Sequence, residues 1–305
     1  LACLVYQLSP LVALMSFRRD GLRLGFIVGG FHLSAFALGM VVVGLRWDGL
    51  VWRWGLRLVF WGGGAGMAAG SLLFVAGHHP ALTIPSALLM GAPGTLLMIM
   101  VQAALSDRHG ARRAVALTES NVGASLAAGL APLLVGSLQR TGIGWRGALI
   151  LGVLGWGTLA LRSHAVTIPP HTARPSLSPA TGRAARLPAV FWAYWLVVFL
   201  GVSVEWCVIF WGPDFLETSV GLRRVDASTL MSVFFAAHLL GRILGSRLSR
   251  RMPVGPLLLA AVSVAAAGFL PFWLANAAPL NIAGLFVAGL GIANLFPLTL
   301  SAASD

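Results

Sequence analysis

The sequence predicts an all-α membrane protein, and three observations support this fold class. The 305 residues are 58% hydrophobic and only 10% charged, with a mean hydropathy of +0.86, whereas soluble domains carry about 25% charged residues. Long runs lack Asp, Glu, Lys and Arg, among them 24–45, 58–106 and 252–304, and about 20 apolar residues cross a bilayer as a helix. The runs do not alternate with a period of two, as the strands of membrane barrels do.

Ten membrane spans follow from these runs and from the turn-forming residues that interrupt them. Residues 78–80 (His-His-Pro) divide one long run and residues 276–279 divide another, because polar and turn-forming groups collect where a chain leaves the hydrocarbon. The predicted helices are 1–16, 25–46, 57–77, 82–106, 114–138, 146–162, 189–212, 227–247, 254–275 and 280–303.

The strong positive charge indicates orientation in the membrane rather than a nucleic-acid partner. The basic residues are 21 arginines, and the net charge is +12. Two thirds of the arginines lie in or beside the connections after spans 2, 4, 6 and 8. The positive-inside rule therefore places these four connections in the cytoplasm.

Other small features exclude several kinds of site. Cys3 and Cys207 lie within apolar runs, where cysteine acts as a small hydrophobic residue, so we expect no disulfide, no metal site and no cofactor. The sequence starts inside a hydrophobic run without a charged leader. We therefore expect a fragment without a secretory signal.

Two stretches recur about 200 residues apart and predict a tandem repeat. The tripeptide Gly-Leu-Arg at 21–23 recurs at 221–223, and MGAPGTLLMIMVQAALSD at 90–107 is similar to AGLGIANLFPLTLSAASD at 288–305, at a shift of 198. Matches in the same order indicate two six-helix halves. Twelve spans are then expected, with the last two following residue 305.

The repeat defines the expected domains. Residues 1–162 would form an N-terminal bundle with a truncated first helix, and residues 189–305 the first four helices of a C-terminal bundle. Residues 163–188 are rich in Pro, Ser and Arg, a composition typical of a flexible linker, and by the charge argument they lie in the cytoplasm.

The connection GLRWDGLVWRWGLR at 44–57 resembles the signature loop of the major facilitator superfamily. The matching residues are Gly44, Asp48, Gly55 and Arg57, with Arg53 in support. The spacing differs, since Asp48 and Gly55 are seven positions apart where the family has three. In the second half, GRILGSRLSRR at 241–251 is the expected counterpart, with Gly245 aligned to Gly44 and Ser249 replacing the acid; its motif residues are Gly241, Gly245 and Arg250.

The resemblance implies a fold of two six-helix bundles that open a central cavity alternately to each side of the membrane. In the family the acid of the loop latches the cytoplasmic side against helix 11. Helices 1, 4, 7 and 10 line the cavity, so the resemblance makes polar and aromatic residues on them candidates for solute contact. These residues are Gln7, Gln102, Glu205, Trp206 and Asn294, although hydrogen bonding between helices is an equal explanation for the amides.

Glu205 is an acid within the apolar run LVVFLGVSVEWCVIFWG at 196–212. A charged side chain inside a span is costly and normally faces a cavity or a partner. Its helical neighbours include Gly201, Val202, Val208 and Ile209, so no cation on its own helix pairs with it. We therefore predict that Glu205 carries a proton or binds a cationic solute; a hydrogen bond across helices or a position at the outer rim are the alternatives.

Four further polar residues lie in or near spans. His238 in span 8 can exchange protons near neutral pH, although a lone buried histidine is often structural, and the same holds for His32 in span 2. Glu119 and Asn121 begin span 5 and are candidates either for the site or for the membrane interface.

Together these features predict a secondary active transporter of a small organic solute, coupled to protons, acting as a monomer in the cytoplasmic membrane of a prokaryote. A receptor or scaffold of the same fold is the main alternative. An intramembrane enzyme is less well supported, because the chain lacks Gly-x-Ser-x-Gly and His-Glu-x-x-His motifs. We expect no catalytic residue and no nucleic-acid partner.

Overall fold

The computed structural model describes residues 26–109, 113–163 and 189–304. Within them nine α-helices follow one another: α1 Phe26–Gly44, α2 Trp47–Ala76, α3 Pro80–His109, α4 Arg113–Arg140, α5 Arg146–Ser163, α6 Ala189–Thr218, α7 Arg224–Leu248, α8 Val254–Leu274 and α9 Ala278–Ser304. Seven of these helices are long and apolar enough to cross a membrane. The predicted span 1–16 lies outside the described residues.

Each of the other nine predicted spans coincides with a helix, and two helices extend furthest beyond the predicted bounds. Helix α6 continues to Thr218 because its apolar part is followed by two turns that contain Pro213 and the buried Asp214. Helix α2 begins at Trp47 instead of residue 57, because most of the predicted loop is helical. Hydropathy detects the part of a helix in hydrocarbon, whereas these extensions contain polar residues.

The chain divides into two compact units, Leu1–His171 and Thr172–Asp305. In the first unit, α3 is central and packs against α1, α2 and α4, while α5 packs on α2. In the second unit, α9 is central and packs against α6, α7 and α8. The helix that ends in the repeated sequence is thus the central helix of its unit in both cases.

A close contact between the central helix and its neighbour repeats in the two units. A Cβ atom on Gly91 of α3 would collide with the backbone carbonyl of Phe36 on α1. A Cβ atom on Gly289 of α9 would meet the backbone carbonyl of Phe234 on α7. Both members of the second pair follow their counterparts by 198 positions, the shift found in the sequence.

A second contact repeats at the same shift. Gly70 on α2 lies against the backbone of Met90 on α3, and Gly268 on α8 lies against the backbone of Ala288 on α9. Small residues let membrane helices approach this closely, because a larger side chain would separate the backbones. The tandem repeat is therefore expressed in helix packing as well as in sequence.

The packing register corrects one alignment. At a shift of 198, the counterpart of Gly44 is Arg242, so the predicted equivalence of Gly44 with Gly245 is wrong by three residues. Gly245 has a different reason to be glycine, since a Cβ atom there would overlap the amide of Asn294 on α9. The same register makes Glu205 the counterpart of Gln7, which lies outside the described residues.

Candidate functional site

Glu205 and His238 face each other inside the second unit. The Glu205 Oε1 atom on α6 and the His238 Nε2 atom on α7 are 3.5 Å apart, and the exposed fractions of the two side chains are 21% and 8%. Each residue lies about 20 Å along its helix from the end near the α6–α7 connection, at a rise of 1.5 Å per residue. The two candidates therefore meet at one depth, well within their spans.

Helix α6 holds Glu205 in this position through two contacts of small residues. Gly201 lies against Leu295 of α9, and Gly212 lies against the thioether of Met231 on α7. Glu205 lies between them on the same face of α6, since positions 201, 205 and 212 are separated by nearly whole turns. Its side chain is consequently directed toward α7 and α9 rather than toward lipid.

Helix α7 fixes His238 by its packing on α9. Gly241 follows His238 by one turn and lies against the backbone of Leu290, and the ring of Phe234 is 5.7 Å from the imidazole. The buried His238 Nδ1 atom has no hydrogen-bond partner among the described residues. One hydrogen-bonding position of the imidazole is therefore open in addition to the atom that faces Glu205.

A guanidinium completes the cluster. Arg242 lies one turn after His238 on α7 and interacts electrostatically with both Glu205 and His238. We call these three residues the Glu205 cluster. The carboxylate has no cation on its own helix, as predicted, and the neighbouring helix provides one.

Asn294 lies near this cluster but serves helix packing. Its Nδ2 atom donates to the carbonyl of Gly241 on α7 at 2.9 Å and to the carbonyl of Leu290 at 3.2 Å. The amide thus joins α9 to α7 at the turn that follows His238. Of the two explanations for this residue, the contacts favour the hydrogen bond between helices.

Replacing Asn294 with Ala is expected to lower the free energy of unfolding by about 1 kcal/mol, which is within the range for hydrogen bonds between membrane helices. The measurement is thermal unfolding in detergent. Gln102→Ala is a matched control, because Gln102 is an exposed amide on α3. Equal melting temperatures for the two variants would contradict a role of Asn294 in joining the helices.

The remaining predicted residues are not brought into the cluster. Trp206 is partly buried and is rotated about 100° from Glu205 around α6. Gln102 is in the first unit. Glu119 and Asn121 belong to α4, but their side chains are outside the described part of the structure.

The motif at 44–57 is helical on both sides of one glycine. Gly44 ends α1, Asp48 is in the first turn of α2, and Gly55 has φ +77° within α2. This value lies in the left-handed region that favours glycine. Arg53 and Arg57 are exposed on either side of the break. The extra residues between Asp48 and Gly55 are therefore additional helix, where a loop was expected.

The residues of the second-half motif have two locations, a buried helix contact and the exposed surface. Gly241 and Gly245 are buried within α7 against α9, while Arg250 is exposed in the turn after the helix. The two glycines therefore serve a helix contact in the membrane instead of a loop.

Two buried polar residues were not predicted. Thr83 of α3 has its hydroxyl 2.9 Å from His32 Nε2, while His32 Nδ1 donates to the carbonyl of Val28 at 2.9 Å. Asn281 of α9 donates to the carbonyls of Phe272 and Ala275. Thr83 and Asn281 are 198 positions apart, so alignment of the repeat could have drawn attention to them as a pair.

Long apolar helices, repeated packing and a cluster of ionisable residues within two spans define a multi-pass α-helical membrane protein with a tandem repeat. Parallel six-helix repeats are the architecture of major facilitator transporters. The chain belongs to the Major Facilitator Superfamily, whose family model matches residues 2–305. This confirms the predicted family and fold class.

Solved structures share this fold at low sequence identity. A bacterial homolog to the human lysosomal transporter Spinster, inward-facing and occupied, has a TM-score of 0.72 at 14% identity, covering 98% of this chain and 72% of that chain. A nucleoside transporter has a TM-score of 0.75 at 15% identity, covering 99% and 81%. A D-xylose-proton symporter has a TM-score of 0.72 at 14% identity, covering 97% and 77%. No curated protein sequence matches the chain. The family and the fold support membrane transport as its activity.

Proposed function

We propose that the protein is a secondary active transporter of a small organic solute, that it is coupled to protons, and that Glu205 carries the coupled proton. One observation carries this proposal: an acid within a span, with its side chain 21% exposed, lies 3.5 Å from His238, with Arg242 nearby. The proposal includes alternating access between two bundles and a location in the cytoplasmic membrane of a prokaryote, where the protein acts as a monomer.

The chemistry of the Glu205 cluster suits a proton carrier. With a carboxylate, a neutral imidazole and the permanently charged guanidinium of Arg242, the net charge of the cluster is zero. Adding one proton to Glu205 or His238 raises it to +1. In a medium of low dielectric constant such a change alters helix interactions strongly, so protonation can bias a conformational equilibrium.

The free-energy cost of placing a carboxylate inside a span is a second reason to assign Glu205 as the proton carrier. A carboxylate inside a span is unfavourable by a few kcal/mol on insertion scales and usually marks a pathway. Asn294 shows that an uncharged amide suffices to join helices at this depth. A titratable group adds the ability to bind a proton or a charged solute, and a D-xylose-proton symporter has the same fold.

The test uses the full-length protein in two steps. Thermal shifts in detergent first rank sugars, nucleosides, organic acids, amino acids and cationic drugs. Proteoliposomes with a trapped pH-sensitive dye then show whether a stabilising solute moves protons with it. Solute uptake without proton movement would refute coupling, and the absence of any bound or transported solute across the panel would count against transport itself.

Replacing His238 with Gln is expected to slow proton-coupled uptake several-fold without uncoupling it. Glutamine retains a hydrogen-bonding group near Glu205 but cannot titrate, so the carboxyl must exchange its proton without the imidazole. The measurement is the initial rate of the dye response after solute is added, compared between the variant and the parent protein. An unchanged rate would remove His238 from the proton path.

A further inference from the structure

The first two turns of α2 form a separate segment, Trp47–Trp54. Gly55, with φ +77° and ψ +154°, breaks the helix between this segment and the rest of α2. Residues 56–76 already provide the about 20 residues that a helix needs to cross a bilayer. The Trp47–Trp54 segment is therefore not required for spanning and lies at the end of the span.

One face of the segment is anchored to the protein. Val51 is buried together with Leu56 and with Met100 of α3, and Trp47 and Leu50 pack against the same cluster. These contacts follow helical spacing, since positions 47, 50 and 51 share one face. The segment consequently has a fixed orientation, with its opposite face directed away from the helix bundle.

The opposite face combines tryptophan and arginine. On this face Trp52 is 91% exposed, and Arg46 and Arg53 are exposed as well. Tryptophan is enriched at the headgroup level of membranes. The planar guanidinium of arginine matches phosphate oxygens in a two-pronged geometry.

The charge of this face favours an anionic partner. Asp48 is the acid of the segment, and Arg46, Arg53 and Arg57 outnumber it. A positively charged surface with an exposed tryptophan at the end of a span is complementary to an anionic lipid headgroup, which provides phosphate and an interface for the indole ring together. The arginines suit a zwitterionic headgroup less well, because its net charge is zero.

We propose that the Trp47–Trp54 segment is a binding surface for anionic phospholipid headgroups, with Arg46 and Arg53 on the phosphate and Trp52 in the headgroup layer. This inference does not depend on the transported solute or on proton coupling. Each arginine near an anionic surface contributes roughly a fivefold gain in lipid affinity, so the two together account for a gain of about 25-fold.

The test measures binding of phosphatidylglycerol to the full-length protein in zwitterionic detergent micelles. Brominated phosphatidylglycerol quenches nearby tryptophan, and the concentration dependence of quenching reports affinity. We expect Arg46→Gln combined with Arg53→Gln to weaken binding about 25-fold, and Trp52→Phe to remove part of the quenched signal. High salt should weaken binding to the parent protein, since it screens exposed charges.

Arg162→Gln is the matched control, because Arg162 is an exposed arginine at the end of α5. It should retain the parent affinity, and brominated phosphatidylcholine should bind the parent protein more weakly than phosphatidylglycerol. Unchanged affinity in the double variant, an equal loss in Arg162→Gln, or equal affinity for the two lipids would overturn the proposal. If the double variant does not fold, Arg53→Gln alone and the salt dependence of the parent decide the question.

Discussion

Replacing Glu205 with Gln is expected to abolish the proton movement that accompanies solute transport while solute exchange continues. Glutamine has the size of glutamate and can still hydrogen-bond toward His238, but it cannot bind or release a proton. Exchange of labelled for unlabelled solute requires no net proton transfer, so it should survive. The dye response in proteoliposomes should fall to the level of empty vesicles, and accumulation driven by a pH gradient should be lost.

Glu217→Gln is the control for this experiment. Glu217 is near the end of α6 and accepts a hydrogen bond from Arg224 at 2.8 Å, so the same chemical change is made outside the Glu205 cluster. We expect this variant to move protons with solute at a rate close to that of the parent. Retained proton movement in Glu205→Gln, or an equal loss in Glu217→Gln, would contradict the assignment of Glu205 as the carrier.

Replacing Gly268 or Gly70 with Ala is expected to destabilise the corresponding bundle. A Cβ atom at either position would press on backbone atoms of the central helix, at Ala288 and Met90 respectively. Backbone atoms cannot rotate away as a flexible side chain can, so the helices must separate. Overpacking of this kind typically costs about 1–3 kcal/mol, which should lower the melting temperature by several degrees.

Gly62→Ala provides the comparison, since a Cβ atom there would meet nothing within 4 Å. Alanine is favoured over glycine within a helix by roughly 1 kcal/mol, so this variant should be as stable as the parent or slightly more so. Similar melting temperatures for Gly268→Ala and Gly62→Ala would contradict close packing of α8 on α9. A large effect at Gly268 with none at Gly70 would contradict the equivalence of the two contacts.

The sequence by itself determined the spans and the repeat. Long runs without charge locate helices because transfer of apolar residues into hydrocarbon does not depend on which way each side chain faces. The shift of 198 between 90–107 and 288–305 correctly paired Gly91 with Gly289, since both are small for the same packing reason. The extension of α2 through the motif at 44–57 could not be predicted from hydropathy, because the polar residues of the motif are typical of a loop.

The tertiary structure alone decided which polar residues meet. Glu205 has apolar neighbours one turn away, and its partners His238 and Arg242 are on α7. Asn294 and Glu205 are both polar residues in apolar spans. Asn294 donates a hydrogen bond to a backbone carbonyl of α7, whereas Glu205 faces the imidazole of His238. These spans are apolar on all sides, so hydropathy carries no information about helix rotation. Helix rotation is set by small residues such as Gly201 and Gly241, which bring specific faces of two helices together. This effect depends on both helices and cannot be obtained from the sequence of one.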